Sequence, residues 1–116
     1  MAVNVIQTME SNGRAGAVGP QTQWGTAKGS MQLLDGTAQG VARKLGMPWR
    51  PDLRTARTPE ASAYQKTLGA SYFQEGLEKT GNYYDAARYY HGGPNRAQWG
   101  PKTNAYAQHF ISQLGG

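Results

Sequence analysis

The sequence predicts a mainly α fold, a small helical domain arranged around one long central helix. Three observations carry this. Ala61, Tyr64, Leu68, Tyr72, Phe73 and Leu77 recur at the spacing of one helical face over a single uninterrupted stretch. Shorter helical stretches elsewhere are divided by Gly, Pro and Asn-Gly signals that stop a helix. No run of residues alternates apolar and polar as a half-buried strand does. The 116 residues are enough for one modest core, so residues 1–116 are read as a single domain.

Residues 3–9 form the first short helix, with Val5, Ile6 and Met9 on its apolar side and Asn12-Gly13 as the stop. Residues 12–28 read as a polar, Gly-rich loop containing Trp24, longer than the usual ~4–6 residue connection and therefore functional or mobile. Asp35-Gly36-Thr37 is a turn that also caps the next helix, residues 38–45, which Gly46 and Pro48 close. Residues 49–57 are an irregular basic connection. Thr58-Pro59-Glu60 opens the long helix, with Thr as N-cap, Pro in the first turn and an acid at the positive end of the dipole. Gly69 inside that helix costs ~1 kcal/mol relative to Ala, which predicts a close helix crossing. Gly81-Asn82 ends it, residues 83–90 form another short helix, and Gly92-Gly93-Pro94 breaks that one. Gly100-Pro101 opens the last helix, with Tyr106, Phe110, Ile111 and Leu114 as its buried stripe and His109 beside it in a structural place.

Composition excludes several classes of function. There is no Cys, hence no disulfide framework and no thiolate chemistry, and two His are too few to suggest a zinc site. No apolar run reaches the ~18–20 residues that span a bilayer, and no secretory signal is visible at the N-terminus. Twelve Lys and Arg against seven Asp and Glu give a net charge of +5, which favours an anionic partner: nucleic acid, lipid headgroups or a cell-wall polymer. The charge is spread rather than blocked, so a merely soluble basic surface fits it as well.

Glu10 stands out. It occupies the last turn of an apolar-faced helix, where the carbonyl end of the dipole disfavours a second negative charge. A neighbouring apolar face raises the pKa of such a carboxyl further by desolvating its ionised form. A carboxyl so placed is a candidate proton donor. By position alone, an exposed helix-end Glu tolerated at a few tenths of a kcal/mol is the plainer reading.

Glu10-Ser11 is followed by Ala17-Val18-Gly19-Pro20, then by Ala27-Lys28-Gly29-Ser30-Met31-Gln32-Leu33 and Gly36-Thr37-Ala38. This order resembles the signature of the soluble lytic transglycosylase family: a catalytic Glu-Ser, a stretch like A-V-S-P, then G-A-x-G-L-M-Q and a G-T-A helix start. Gly69-Ala70-Ser71-Tyr72-Phe73 resembles the G-x-x-Y-L of that family's long helix, and Tyr90-His91-Gly92-Gly93-Pro94 its Y-N-A-G-P turn. These pieces stand in the family's order, and the match runs from about residue 3 to residue 94. Residues 96–100 and 103–106 resemble, more loosely, transglycosylase domains carried on bacteriophage virion proteins. The chain departs from the pattern at Gly19 for Ser, Ser30 for Leu, His91 for Asn and Gln65 for the usual Asn of the long helix.

The resemblance implies a lysozyme-like domain, here expected to be part of a longer protein. It implies cleavage of the MurNAc–GlcNAc β-1,4 bond of peptidoglycan with formation of 1,6-anhydromuramic acid ends, one Glu serving as acid and then base. That suits the inventory: Asp35, Asp52 and Asp85 sit at turns and helix starts, and Glu60, Glu75 and Glu78 on the polar side of the long helix. Glu10 and Tyr90 would be catalytic, with Ser11, Met31, Gln32, Gln65 and His91 at the substrate. Trp24, Trp49 and Trp99 are aromatic faces suited to sugar rings or to packing, with packing favoured for Trp99. No metal or cofactor is implied. The expected partner is the peptidoglycan glycan strand, not nucleic acid, met by a monomeric domain acting on the cell wall and delivered from a virion. A goose-type lysozyme-like hydrolase of the same bond and a non-catalytic glycan- or polyanion-binding module are the alternatives.

Overall fold

The computed structural model describes residues 1–115. Its elements run α1 (Ala2–Ser11), β1 (Val18–Thr22), β2 (Gly25–Lys28), α2 (Asp35–Lys44), α3 (Pro59–Thr80), α4 (Tyr83–Gly92) and α5 (Pro101–Gly115), with short 3-10 helices at Pro51–Arg54 and Arg96–Gln98. The mainly α class stands. The chain forms two compact units: one is Ile6–Ala70, the other Ser71 onward together with Met1–Val5.

In the first unit the buried apolar side chains are Ile6 of α1, Met31 and Leu33 of the loop before α2, Ala38, Val41 and Ala42 of α2, Leu53, and the Ala61, Tyr64 and Leu68 face of α3. The N-terminus of α3 is capped as expected, with Thr58 Oγ1 accepting the Ala61 N–H at 3.1 Å. α2 starts at Asp35, ahead of the expected Ala38. Leu34 is the extended N-cap there, its carbonyl takes the Ala38 N–H at 2.9 Å, and Asp35 itself supplies the first-turn acid.

The expected loop over residues 12–28 is corrected: it contains an antiparallel hairpin, β1 on β2, with Gln21 opposite Thr26 and Thr22 opposite Gly25. No alternation revealed it because none exists. β1 is exposed except at Gly19, β2 is half-buried throughout, and the register is irregular between Val18 and Gln21, where Gly19 and the donor-less Pro20 sit. The hairpin end is tied by Thr22, whose hydroxyl donates to Gly25 O at 2.7 Å and accepts the Trp24 N–H at 3.2 Å. Trp24 stands out from it, 67 % exposed.

The second unit is an aromatic cluster between the end of α3, α4 and α5. Tyr72 lies 5.4 Å from the rings of both Tyr89 and Tyr90, and Phe73 lies 5.6 Å from Phe110. Asn82 caps α4 by accepting the Asp85 N–H at 2.8 Å. The stripe expected on α5 is corrected in part. Phe110 is buried with Thr103 and Ala107, whereas Ile111 is 39 % exposed and His109 also faces out. Gly69 is corrected as well: what it admits is the Met31 side chain, into which a Cβ would run, rather than a crossing helix. The close crossing falls at Gly76, where a Cβ would come within 2.8 Å of the Tyr89 ring.

Candidate active site

Glu10 is half-buried in the last turn of α1. The helix ends by reversing into the left-handed region at Asn12 (φ 56) and Gly13 (φ 79), with the Asn12 N–H on Thr8 O at 2.9 Å. Next to the acid, Ser11 turns inward. It is 3 % exposed, and its hydroxyl donates to Ser30 O at 2.6 Å. The turn that carries Glu10 is thereby fastened to the segment that carries Met31 and Gln32.

That segment is built on Gln65. Its Oε1 accepts the N–H of Gly16 at 3.1 Å and of Ser30 at 2.9 Å, and its Nε2 donates to Leu53 O at 2.7 Å and Ala56 O at 3.1 Å. A carboxamide has two donor hydrogens and two acceptor lone pairs, and all four are used. Gly29 makes room for it: a Cβ there would lie 2.9 Å from Gln65 Cγ. Arg54 supports the same loop from below. It is 2 % exposed, with Nη2 donating to Leu33 O at 2.6 Å and Nη1 to Lys28 O at 3.3 Å.

Several expected site residues thus have duties inside the protein. Ser11, Met31 and Gln65 are buried, and the polar groups of Ser11 and Gln65 bond to backbone. Gln32 differs. It is half-buried at φ 54, a posture rare outside glycine and common where function fixes the backbone. Its Nε2 donates to Ala17 O and Gly29 O, each at 3.0 Å.

In the other unit Tyr90 is buried in the final turn of α4, tilted against Tyr72 and Phe73. His91 lies over Tyr106 at 4.6 Å, and its Nδ1 is 2.9 Å from Thr103 Oγ1. Burial of that inner face holds its pKa below the usual histidine value, although the residue's outer edge is exposed. Tyr89, the neighbour of Tyr90, donates its hydroxyl to Glu75, so Glu75 is half-buried against a tyrosine rather than on a purely polar face. Trp99 packs as expected, with Arg88 and Arg96 4.6 and 4.8 Å from its ring and its Nε1 on Gly93 O. Trp49 lies under Arg54 at 5.9 Å.

The aspartates sit in ion pairs. Asp35 pairs with Lys28 at 2.7 Å, Asp52 with Arg50 at 2.8 Å and Asp85 with Arg88 at 2.6 Å. Hydrogen bonds from Arg50 to Asp52, and from Asn82 and Arg88 to Asp85, hold both carboxyls below the usual carboxylate range. Neither is a proton donor at neutral pH. The buried Arg54 and the carboxamide clamp of Gln65 were not foreseen in these roles; the signal for Arg54 was only a basic residue in a connection otherwise read as irregular.

A helical domain with a half-buried glutamate closing its first helix, fastened through Ser11 to a carboxamide-clamped loop, is the arrangement to set against known families. A family model described as Transglycosylase SLT domain matches residues 1–111, and the chain belongs to that family. Among individual proteins, it is similar to a transglycosylase of Enterobacteria phage PRD1, 34 % identical over 107 residues. That alignment covers 91 % of this chain and 33 % of the phage protein, so the chain spans about a third of its relative's length. No solved structure matches significantly.

Proposed function

We propose that this domain is a peptidoglycan lytic transglycosylase that cleaves the MurNAc–GlcNAc β-1,4 bond and leaves a 1,6-anhydromuramoyl end, with Glu10 as the acid and base. The observation that carries the reading is Glu10 itself: a half-buried carboxyl at the negative end of α1, in the Glu-Ser motif of a chain that matches the transglycosylase family. The paired aspartates support it by elimination, since Asp52 and Asp85 are held ionised.

Glu10, protonated, gives its proton to the glycosidic oxygen as the bond to muramic C1 breaks. The acetamido carbonyl of the same sugar stabilises the cationic centre, so no second carboxylate is required. The Glu10 carboxylate then takes the proton of the muramic 6-hydroxyl as that oxygen closes onto C1. The acid is regenerated and no water is added. Tyr90 joins the reaction through its place in the Tyr-His-Gly-Gly-Pro motif, its hydroxyl orienting the acid or the acetamido group. His91, its Nδ1 beside Thr103, serves the turn rather than the chemistry. The place of action is the cell wall, reached from a phage particle; the phage relative supports this.

Replacing Glu10 with Gln keeps the shape and removes the titratable proton. Release of muropeptides from purified peptidoglycan should fall by orders of magnitude while the melting temperature stays the same or rises slightly, since a helix-end charge is lost. Near wild-type release by the Glu10→Gln protein would overturn the assignment. In the same assay Tyr90→Phe should reduce turnover roughly ten- to hundredfold, and full activity would remove Tyr90 from the mechanism.

A further inference from the structure

The positive charge of this chain is concentrated in the unit that carries Glu10. Residues 6–70 hold eight Lys and Arg against four Asp and Glu, a net of +4 out of the chain's +5. Three of those acids are already answered: Asp35 pairs with Lys28 at 2.7 Å, Asp52 with Arg50 at 2.8 Å, and Glu60 lies 3.9 Å from Arg50. Arg14, an exposed residue shortly after Glu10 in the chain, pairs with no acid among the described residues.

Arg14 is held in place all the same. The reversal at Asn12 (φ 56) and Gly13 (φ 79) returns the chain over the open end of α1. There the Ser11 carbonyl accepts both the Arg14 backbone N–H, at 3.2 Å, and the side-chain Nε–H, at 3.0 Å. On its far side the turn is anchored by Gly16, whose N–H bonds to the buried Gln65 at 3.1 Å. A cation at the carbonyl end of a helix is a cap, but one donor suffices for that, and Lys would provide it. A guanidinium carries five N–H groups in a rigid plane. With Nε occupied, the two Nη nitrogens remain as an end-on fork from which no described residue accepts. Their spacing matches the two oxygens of a carboxylate. Because the anchor is the carbonyl of the residue next to Glu10, the fork stands at the same helix end as the acid.

We propose that Arg14 is a specificity-determining residue, its Nη pair taking a carboxylate of the peptide stem that muramic acid carries. The proposal rests on the transglycosylase reading: the acid acts at the muramic glycosidic bond, and muramic acid is the sugar of the polymer that bears the peptide. In the intact polymer the lactyl carboxyl is taken up in an amide, so the free carboxylates are those of the stem. A guanidinium discriminates where a hydroxyl or a carboxamide does not. It donates only and is fully charged, so it prefers a carboxylate to the neutral amide of the same shape. The domain therefore favours strands whose stems keep their free carboxylates.

The test uses two preparations of one purified peptidoglycan, both acetylated on their amino groups and one with its carboxylates also converted to methylamides. Initial rates of muropeptide release and co-sedimentation of the protein are measured on each, for the wild type, Arg14→Gln and Arg14→Lys. The wild type should show an apparent KM about tenfold lower on the carboxylate polymer at equal kcat, a preference that fades as salt is raised. Arg14→Gln should lose the preference by raising KM on that polymer alone. Arg14→Lys, which keeps the charge without the fork, should fall between the two. A residue that only caps α1 would instead slow cleavage of both polymers alike when replaced. Equal KM values for the wild type, or parallel losses on both polymers in Arg14→Gln, would each overturn the proposal. Preferential binding of the carboxylate polymer without release of anhydro ends keeps the role of Arg14 and rejects the mechanism at Glu10. Anhydro ends released equally well from both polymers reject the role of Arg14 alone.

Discussion

Gln65→Leu removes a carboxamide of nearly the same volume from a site 1 % exposed to solvent, and with it four hydrogen bonds. The groups left behind are the N–H of Gly16 and Ser30 and the carbonyls of Leu53 and Ala56. An unsatisfied buried backbone group costs about 1–3 kcal/mol, and four sharing one site would exceed the stability of many small domains if the costs simply added. Each of the three segments ends in a turn that can shift toward water, so the sum is reduced, and about 4 kcal/mol is the expected loss. In urea this should move the midpoint down by roughly 2 M at unchanged slope, given ~1–3 kcal/mol per M for a small protein. Gln65→Glu should be as damaging at neutral pH, because it loses both donors and buries a charge, and should recover as pH falls and the carboxyl regains a proton to donate. A loss below about 1 kcal/mol in Gln65→Leu would refute the clamp. Gln65 would then be a bystander of the site.

Two other perturbations follow from the structure. The Ser30 hydroxyl is fully buried with no hydrogen-bond partner among the described residues, so Ser30→Ala should leave stability unchanged or raise it by up to about 1 kcal/mol; a larger loss on thermal denaturation would contradict this. Burial, with the Glu75 charge adding to it, pushes the Tyr72 phenol from 10.0 up to about 12. The fold therefore favours the neutral phenol: its contribution is intact below about pH 10, where the unfolded chain begins to ionise, and is lost as pH rises toward about 12. The loss is on the order of 2–3 kcal/mol, and Tyr72→Phe should flatten the melting profile across that window; an unaltered profile would contradict the burial of the hydroxyl.

The helices were legible because each has a one-dimensional signature. Thr58-Pro59-Glu60, the stripe from Ala61 to Phe73, and the Gly92-Gly93-Pro94 break all act within a turn or two of themselves. The hairpin was not, since its strands bury no alternating face and its register breaks at Gly19 and Pro20. The place of Glu10 in the last turn of α1 was legible from the helix and the Asn12-Gly13 stop that follows it. Ser11 and Gln65 were legible as important residues but not as buried ones. Their partners, Ser30 O and the backbone of residues 16, 30, 53 and 56, are distant in sequence, and a backbone partner leaves no side-chain signal. The same holds for Gly69 and Gly76: both glycines yield to a neighbour, and only the fold decides that one meets Met31 and the other Tyr89.

The central claim is that the ionised Glu10 directs the muramic 6-hydroxyl, not water, onto C1. Mass spectrometry of muropeptides released from purified peptidoglycan reads this directly, because an anhydro end is lighter by one water than a reducing end. Products carrying 1,6-anhydromuramoyl ends from the wild-type protein, absent with Glu10→Gln, are the predicted result. Reducing ends in their place would make the domain a hydrolase of the same bond and contradict the internal-hydroxyl step.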